Sequence, residues 1–418
     1  MQNCMYETEK IGLHRLVTPY QNRKLPIYRW YNYNHSFSRD LVWYLIDTLG
    51  LDKRHRILDP FCGTGTTLLA AKERGIRAIG VDILPLSLFV SNAKLQKYDM
   101  ERITVSLSRL KKYLSRKHFE NKCEASNCET VDRFFDRKIL DYIFVTKDWI
   151  NNFLIGKEKS FFLTALLAVL GKVSFGRNDG GFLRIIADRQ IPKFKDVFFA
   201  KINEMVGDLN ENRHNDRAKA KAKLGDARKL PFENNSFDAV ITSPPYLNRH
   251  DYTRVYQLEL AVAFMNSKKE IKQLRYKTLR SHVEARPMLT SPEYKELPEL
   301  KKILKKLGKI SLPNRKIIPM VKGYFEDMHL VLKELVRVVK PKGKISLVIG
   351  DSRYGGIFIP VGDIILKMGN RMGLKTKCIV RARFRGNSPQ QMHRFGKRPS
   401  VVNPRACETL CCLKLVDR

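Results

Sequence analysis

The sequence is poor in cysteine, and the few cysteines it has form no recognisable disulfide or metal pattern. Eight cysteines among 418 residues are too few for a disulfide scaffold. Cys123 and Cys128 form an isolated close pair, and a zinc site would need two more ligands at compatible spacing. We therefore expect reduced thiols, no metal, and a location in the cytoplasm.

Long apolar runs are also lacking. No stretch approaches the roughly 20 apolar residues that span a bilayer, and the most apolar run, Phe161 to Leu170, is about half that length. A run of this length is typical of a buried helix. The first residues lack the charged-then-apolar order of a secretory signal. The sequence therefore predicts no membrane partner.

Acidic residues are scarce relative to basic ones. Lys and Arg number 78 against 42 Asp and Glu, which gives a formal net charge of +36. A folded domain keeps such an excess if the charge is spread out or is matched by an anionic partner. Nucleic-acid phosphate is the usual partner of this kind, and an anionic membrane is the lesser alternative.

The order of predicted elements indicates an α/β fold. A short buried strand, a glycine turn, a helix and a second strand follow one another within about 30 residues, which is a βαβ unit and implies a parallel sheet. The later predicted strands also alternate with helices, so we expect one doubly wound sheet with a hairpin at its end. The predicted strands are 56–59, 78–82, 222–226, 237–241, 344–349, 376–383 and 409–415. A helix from Tyr324 to Val338 and a turn at 340–343 are predicted just before the strand at 344–349.

Two largely helical insertions interrupt this sheet. The second, residues 266–322, carries 16 Lys/Arg against 5 Asp/Glu and is broken by several prolines. We expect it to contact nucleic acid, and the first insertion to be a possible recognition region. The predicted division is 1–93 for the first part of the core, 94–223 for the helical insertion, 224–265 for the core with a candidate catalytic turn, 266–322 for the basic insertion, and 323–418 for the rest of the core.

Three predicted strands end in residues suited to a nucleoside-containing cofactor. Ligands bind at the carboxyl ends of the strands in doubly wound sheets, where Gly63 and Gly65 would let the backbone approach closely. Asp82 ends the next strand and can accept both hydroxyls of a ribose, and Asp226 is placed to accept from an adenine amino group. Nothing resembles a phosphate-cradling loop with its lysine, so we expect no pyrophosphate.

The most specific element follows the strand that ends at Ile241. Ser243, Pro244, Pro245 and Tyr246 form a turn in which the prolines hold the backbone extended and cannot donate hydrogen bonds. Such a turn offers a carbonyl and the Ser243 hydroxyl to a planar amine, with the Tyr246 ring available to stack. This combination suits the exocyclic amino group of a base taken out of the helix.

These two segments resemble the amino-group DNA methyltransferases that use S-adenosylmethionine. The run Asp-Pro-Phe-Cys-Gly-Thr-Gly-Thr-Thr from Asp59 looks like their cofactor motif, and Thr-Ser-Pro-Pro-Tyr from Thr242 looks like their catalytic motif. The resemblance implies a Rossmann-like class I methyltransferase sheet, S-adenosylhomocysteine as the product and no metal. The cofactor-binding residues that it implies are Phe37, Ser38, Asp59, Phe61, Gly63, Gly65, Thr66, Asp82, Asp226, Ala227 and Ser243.

The serine before the two prolines is the form typical of cytosine-N4 enzymes of that family, whereas adenine enzymes more often carry Asp or Asn. The resemblance therefore implies methylation of a flipped cytosine in double-stranded DNA, with Ser243, Pro244, Pro245 and Tyr246 as catalytic residues. It also implies a restriction–modification or defence context, in which a cognate restriction endonuclease is a possible partner. The positions of both insertions depart from the family's common arrangements, so which insertion reads the DNA stays open.

Basic and amide side chains near the end of the chain and on one predicted helix are candidates for DNA contacts. Residues 371–405 contain ten Lys/Arg and no Asp or Glu, and arginines interleaved with amides are suited to phosphates and base edges. The run from Lys301 to Lys306 looks like an amphipathic helix that contacts phosphates. The candidates are Arg381, Arg383, Arg385, Asn387, Gln390, Gln391, Arg394, Lys301, Lys302, Lys305 and Lys306.

Three other functions remain open at this point. The first is a DNA methyltransferase that methylates adenine at N6 instead of cytosine at N4. The second is an RNA base-amine methyltransferase, because a similar Pro-Pro-Tyr turn occurs in enzymes that modify tRNA. The third is a catalytically silent DNA-binding protein, which the intact candidate cofactor and catalytic residues argue against.

Overall fold

A sheet of eight strands forms the centre of the molecule. The computed structural model describes residues 6–8, 13–115, 131–178, 181–211, 218–384 and 407–415. The strands, numbered in chain order, are β1 Tyr6–Thr8, β2 Arg56–Asp59, β3 Arg77–Asp82, β4 Gly176–Asn178, β5 Leu183–Ile185, β6 Ala220–Leu224, β7 Phe237–Thr242, β8 Val339–Gly350, β9 Ser352–Tyr354, β10 Ile357–Ile359, β11 Leu374–Phe384 and β12 Cys407–Leu415.

The strand order creates a crevice at one point of the sheet. The order is β1-β11-β12-β8-β7-β2-β3-β6, and β6, β3, β2, β7 and β8 run parallel. From β2 the chain moves outward through β3 to β6, and it then returns to β7 on the other side of β2. In doubly wound sheets, ligands bind where the order reverses in this way. The sheet is the predicted Rossmann-like class I methyltransferase sheet, with its switch point between β2 and β7.

Helices cover both faces of this sheet. Adjacent residues of a strand point to opposite faces, and Ile57 and Leu58 of β2 belong to two different buried clusters. The helices, numbered in chain order, are α1 Leu13–Leu16, α2 Arg39–Thr48, α3 Thr66–Glu73, α4 Pro85–Leu95, α5 Met100–Ser115, α6 Arg137–Phe153, α7 Gly156–Leu170, α8 Phe194–Glu211, α9 Tyr252–Val255, α10 Gln257–Ala263, α11 Lys268–Lys277, α12 Pro298–Leu307, α13 Ile317–Val338 and α14 Val361–Arg371.

The segment after α4 is helical, as expected, with one addition. Helices α5 to α8 make up most of it, and the apolar run Phe161–Leu170 lies in α7, where it is mostly buried. The addition is the short antiparallel hairpin of β4 and β5. The core sheet resumes at Ala220, so β6 begins inside the range assigned to the first insertion and ends at Leu224, two residues before the predicted end at Asp226.

Two boundaries near the second insertion also differ from the prediction. Helix α13 begins at Ile317, well before the predicted start at Tyr324. Pro319 lies in its first turn, where a missing N–H breaks no helical hydrogen bond, so this proline does not end the helix. Strand β8 begins at Val339 and includes the predicted turn at 340–343 as an irregularity in its pairing with β7.

The end of the sheet contains the predicted hairpin. Strands β11 and β12 pair antiparallel, and β12 inserts between β11 and β8. The additional strand β1, which was not predicted, pairs parallel with β11. Across the described segments, no helix combines the length and apolar character that crossing a bilayer requires.

Candidate active site

Two glycines shape the turn between β2 and α3. Gly63 and Gly65 have φ values of +48° and +83°, which other residues rarely adopt. A Cβ atom on Gly65 would lie 2.9 Å from the Oγ atom of Ser91 in α4. The Ser91 hydroxyl donates to the carbonyl of Gly63 at 2.8 Å. The glycines therefore allow α4 to pack directly against this turn.

Asp82 connects the end of β3 to the same turn. Its half-buried carboxylate accepts hydrogen bonds from the backbone N–H groups of Gly63 and Leu84, each at 2.9 Å. Desolvation raises the pKa of Asp82 to about 6, so the group is mostly ionised at neutral pH. An ionised carboxylate can accept about four hydrogen bonds, so Asp82 has the chemistry to accept from a ribose hydroxyl as well as from the backbone of this turn.

Asp226 lies in the turn beyond β6 and is held by an arginine. The Arg228 guanidinium donates to both carboxylate oxygens of Asp226, with Nε–Oδ1 at 2.9 Å and Nη2–Oδ2 at 2.6 Å. The Arg228 side chain is fully buried and also donates to Asp327 at 3.2 Å. Ala227 is buried beside it. The carboxylate of Asp226 is thus fixed in orientation, with part of its edge still exposed.

The segment before α2 reaches the glycine turn through Ser36. The Ser38 hydroxyl is fully buried and accepts from the N–H of Leu41, so it caps the first turn of α2. The Phe37 side chain is also buried. The Ser36 hydroxyl lies 3.1 Å from the hydroxyl of Thr66, at the first residue of α3. Ser36 was not among the predicted site residues, although it directly precedes two that were.

Asp59 joins the predicted cofactor turn, residues 59–67, to the predicted catalytic turn, residues 242–246. The Thr242 hydroxyl, at the end of β7, donates to Asp59 Oδ1 at 2.6 Å, and the N–H of Phe61 donates to the same oxygen at 3.1 Å. Burial raises the pKa of Asp59 to about 6. The predicted cofactor motif and the predicted catalytic motif therefore meet at the switch point of the sheet.

The catalytic turn is supported from behind by α13 and β8. The Tyr324 hydroxyl donates to the carbonyl of Pro245 at 3.0 Å. The Tyr246 ring packs on Gly350, where a Cβ atom would lie 2.7 Å from the ring. Ser243 and Tyr246 are both half-buried. The arrangement can hold a planar amine between a hydroxyl and a rigid backbone.

An aromatic cluster that sequence reasoning missed adjoins the glycine turn between β2 and α3. The Tyr33 ring stacks on Tyr256 with ring centres 4.9 Å apart, and its Cε1 atom lies 3.0 Å from where a Cβ atom on Gly63 would be. His35 Nδ1 lies 3.0 Å from the Tyr256 hydroxyl, and the His35 ring contacts Tyr252 edge to face. The available signal was the aromatic run from Tyr28 to His35.

The predicted DNA-contacting lysines share one face of a helix. Lys301, Lys302, Lys305 and Lys306 are exposed on α12. Leu300 and Leu307 are buried on the opposite face, so the predicted amphipathic helix is confirmed. Arg381 and Arg383 lie on β11. Five other candidates lie outside the described residues: Arg385, Asn387, Gln390, Gln391 and Arg394.

Comparisons with known proteins identify relatives of this chain among the DNA methyltransferases. A family model described as DNA methylase, N6_N4_Mtase, matches residues 12–86, which include the glycine turn and Asp82. A type II methyltransferase, M.BsoBI, from Geobacillus stearothermophilus is 31% identical over 94% of this chain and 87% of that protein. The type II methyltransferase M.AvaI from Anabaena variabilis is 30% identical over 93% of this chain and 89% of that protein.

A shorter match is to an RNA-modifying enzyme. A tRNA (guanine(10)-N2)-dimethyltransferase from Methanothermobacter thermautotrophicus is 40% identical over 62 residues, which are 15% of this chain and 18% of that protein. The two type II enzymes are matched over nearly the whole chain, including both insertions. The residues at the switch point fit S-adenosylmethionine, and among the described residues no group of three or more His, Cys, Asp or Glu side chains could hold a metal ion. The chain belongs to the S-adenosylmethionine-dependent DNA amino-methyltransferases.

Proposed function

We propose that this DNA methyltransferase acts on the N4 amino group of a flipped cytosine at a specific site in double-stranded DNA. The observation that carries the proposal is Ser243 at the head of a Pro-Pro-Tyr turn that Thr242 and Asp59 join to the cofactor turn. A neutral hydroxyl can accept a hydrogen bond from the amine without placing a full negative charge beside it. An adenine-N6 target is the alternative that keeps the same geometry.

In this proposal the cofactor lies along the ends of β6, β3 and β2. Asp226 and Ala227 contact the adenine, and Asp82 holds the ribose. The turn from Phe61 to Gly65 lies against the remaining part of the cofactor. The Ser38 hydroxyl already caps α2, so in this proposal it fixes the start of that helix and does not bind the cofactor directly. When bound, S-adenosylmethionine supplies an electrophilic methyl group, which becomes bonded to the amino nitrogen as S-adenosylhomocysteine leaves.

The catalytic turn would act mainly by positioning. The Ser243 hydroxyl and the Pro244 carbonyl accept from the two amino hydrogens and orient the nitrogen, and the Tyr246 ring stacks on the base. No strong base is required, because the amine becomes acidic as it is methylated, and its proton can pass to solvent. Ser243 is an orienting acceptor and not a nucleophile.

Type II methyltransferases give this chain its proposed biological context. We propose that it protects host DNA in a restriction–modification system with a cognate endonuclease, as the names of its relatives suggest. The lysines of α12 and the arginines of β11 would contact the DNA backbone.

The target base is tested by mass spectrometry of nucleosides. DNA and total RNA are incubated separately with the protein and S-adenosylmethionine. N4-methylcytosine in DNA alone would support the proposal. N6-methyladenine in DNA would show that the target base is adenine instead of cytosine. Methylated nucleosides in RNA alone would contradict a DNA substrate.

Two substitutions separate binding from turnover. Ser243→Ala should lower kcat by about tenfold or more with little change in cofactor affinity, because it removes an acceptor for the base. Asp82→Ala should weaken cofactor binding by about tenfold or more, because charged acceptors hold ligand hydroxyls strongly. Ser236→Ala is the matched control, since that hydroxyl only bonds the Glu233 carbonyl in the turn before β7. Equal loss of cofactor affinity in both site variants would contradict the assigned roles.

A further inference from the structure

A small polar pocket lies beside the glycine turn. It is bordered by Thr64 and Thr66 of the turn, by Ser36, and by the Tyr33 ring that covers Gly63. Its deeper wall contains Lys94, near the end of α4, and its outer rim contains Arg23. The side chains around it include two cations, hydroxyls and amides, and no carboxylate.

Lys94 is the unusual member of this lining. Its side chain is 4% exposed, and its ammonium donates to the backbone carbonyls of Tyr28 at 3.1 Å and Tyr31 at 3.5 Å. Within the described part of the chain, no Asp or Glu forms an ion pair with it. The nearest charge that acts on it is that of another buried lysine, Lys201, which has its own partner in Glu204. A buried lysine almost always has an anionic partner, because burying an isolated charge is costly.

The order of the strands indicates which anion would complete the pocket. Along the sheet, β6, β3 and β2 are neighbours in that order. A cofactor with its adenine at Asp226 and its ribose at Asp82 therefore extends toward the turn after β2, where Thr64 and Thr66 lie. The far end of S-adenosylmethionine is an amino acid, and its carboxylate is the one anionic group of the molecule.

We propose that Lys94, with the hydroxyls of Thr64, Thr66 and Ser36, binds the carboxylate of the cofactor's methionine moiety. The inference rests on the cofactor placement proposed above and not on the identity of the target base. Burial of the ammonium lowers the pKa of Lys94 to about 7, and an adjacent carboxylate would favour its charged form. The competing role is structural, in which Lys94 only holds the backbone at Tyr28 and Tyr31.

Two ligands that share an adenosine moiety distinguish these roles. S-adenosylhomocysteine carries the amino-acid carboxylate, and 5′-methylthioadenosine lacks the whole amino-acid part. Their affinities for the full chain are measured by isothermal titration calorimetry. In Lys94→Met we expect S-adenosylhomocysteine to bind about tenfold or more weakly, as for loss of a charge-assisted hydrogen bond. The affinity for 5′-methylthioadenosine should stay within about twofold, and Lys94→Arg should retain most of the preference for S-adenosylhomocysteine.

Lys72 provides a matched control on the neighbouring helix. It is a buried lysine that donates to the carbonyl of Leu95 and does not border the pocket. Lys72→Met should affect both ligands equally. If Lys94→Met does not fold, Lys94→Gln, which can still donate to a backbone carbonyl, serves for the same comparison.

The outcomes separate this inference from the proposed cofactor placement. Equal weakening of both ligands in the Lys94 variants, or no weakening of either, would overturn the carboxylate role. Asp82→Ala should weaken both ligands, since both contain the ribose. If it weakens neither, the cofactor placement itself is wrong, whatever the Lys94 variants show.

Discussion

Asp59 shows how one buried carboxylate can organise two functional turns. It was predicted as a cofactor-binding residue, and it is 2% exposed. The same oxygen accepts from the Thr242 hydroxyl and from the N–H of Phe61. Because the carboxylate is buried and already shared between these donors, we propose that it acts on the cofactor indirectly, by fixing the two turns relative to each other.

Glu259 allows a stability prediction at the scale of one residue. It is buried in α10 and accepts a hydrogen bond from the Tyr31 hydroxyl at 2.7 Å. Burial raises the pKa of Glu259 from 4.5 to about 7. The folded state therefore favours the protonated form, and its stability falls as the pH rises from about 4.5 through 7. Glu259→Gln keeps an acceptor for Tyr31 and removes the charge.

We expect the stabilities of this variant and the native protein to diverge as the pH rises from about 4.5 to 7, and their difference to level off above pH 7. At pH 8 the variant should be more stable by up to about 3 kcal/mol, measured by chemical unfolding. Glu299→Gln is the control, because Lys367 lowers the pKa of that exposed carboxyl. Its ionised form is favoured in the folded state, so Glu299→Gln should not become more stable than the native protein as the pH rises. A constant difference between Glu259→Gln and the native protein from pH 5 to 8 would contradict the prediction.

At the scale of elements, the sequence predicted best where the signals are local. Strands β2, β3 and β7 carry short apolar runs that end at Asp59, at Asp82 and just before the two prolines, and each strand lies within a residue of its prediction. The predicted start of α13 was too late in the chain. A proline in the first turn of a helix looks the same in sequence as a proline that ends one. The contact of Ser36 with Thr66 depends on the path of the chain between them, which has no local pattern.

Helix α12 allows a prediction about which insertion contacts DNA. Its four exposed lysines lie on one face, so replacing all four with Gln removes charge without disturbing buried residues. If all four neutralise phosphates, the slope of log affinity against log salt should become shallower by roughly 3 to 4. DNA binding would be measured by fluorescence anisotropy at several salt concentrations.

A variant of the first insertion that loses the same amount of charge is compared with the α12 variant in the same salt series. Arg109, Lys111, Lys112 and Lys138 are exposed on α5 and α6, and their replacement with Gln removes the same charge. A change of slope confined to α12 would assign the phosphate contacts to the second insertion. A change confined to α5 and α6 would contradict the proposed role of α12, and an equal, small change in both would indicate only the loss of net charge.

At the scale of the whole molecule, a chain of ion pairs joins the second insertion to α13 and to the turn after β6 that contains Asp226. Arg280, in the insertion, donates to Asp327 of α13 through its backbone N–H and its guanidinium, at 2.8 Å and 2.6 Å. Asp327 also accepts from Arg228, which holds Asp226. Asp327 lies 47 residues from Arg280 and 99 residues from Arg228, so these two pairings could not be predicted from sequence spacing.

Asp327 is the residue on which this chain of ion pairs depends. It is fully buried, and Asp327→Asn would leave two arginine side chains with a neutral partner in the interior. Breaking a buried pair from one side typically costs about 3 to 5 kcal/mol, so we expect a loss of that order in the free energy of unfolding. Glu293→Gln, which removes the exposed pair with Lys333, should have a much smaller effect. Because Arg228 would still contact Asp226, we expect a smaller loss in the free energy of cofactor binding than in the free energy of unfolding. A variant as stable as the native protein would show that apolar contacts hold the insertion instead.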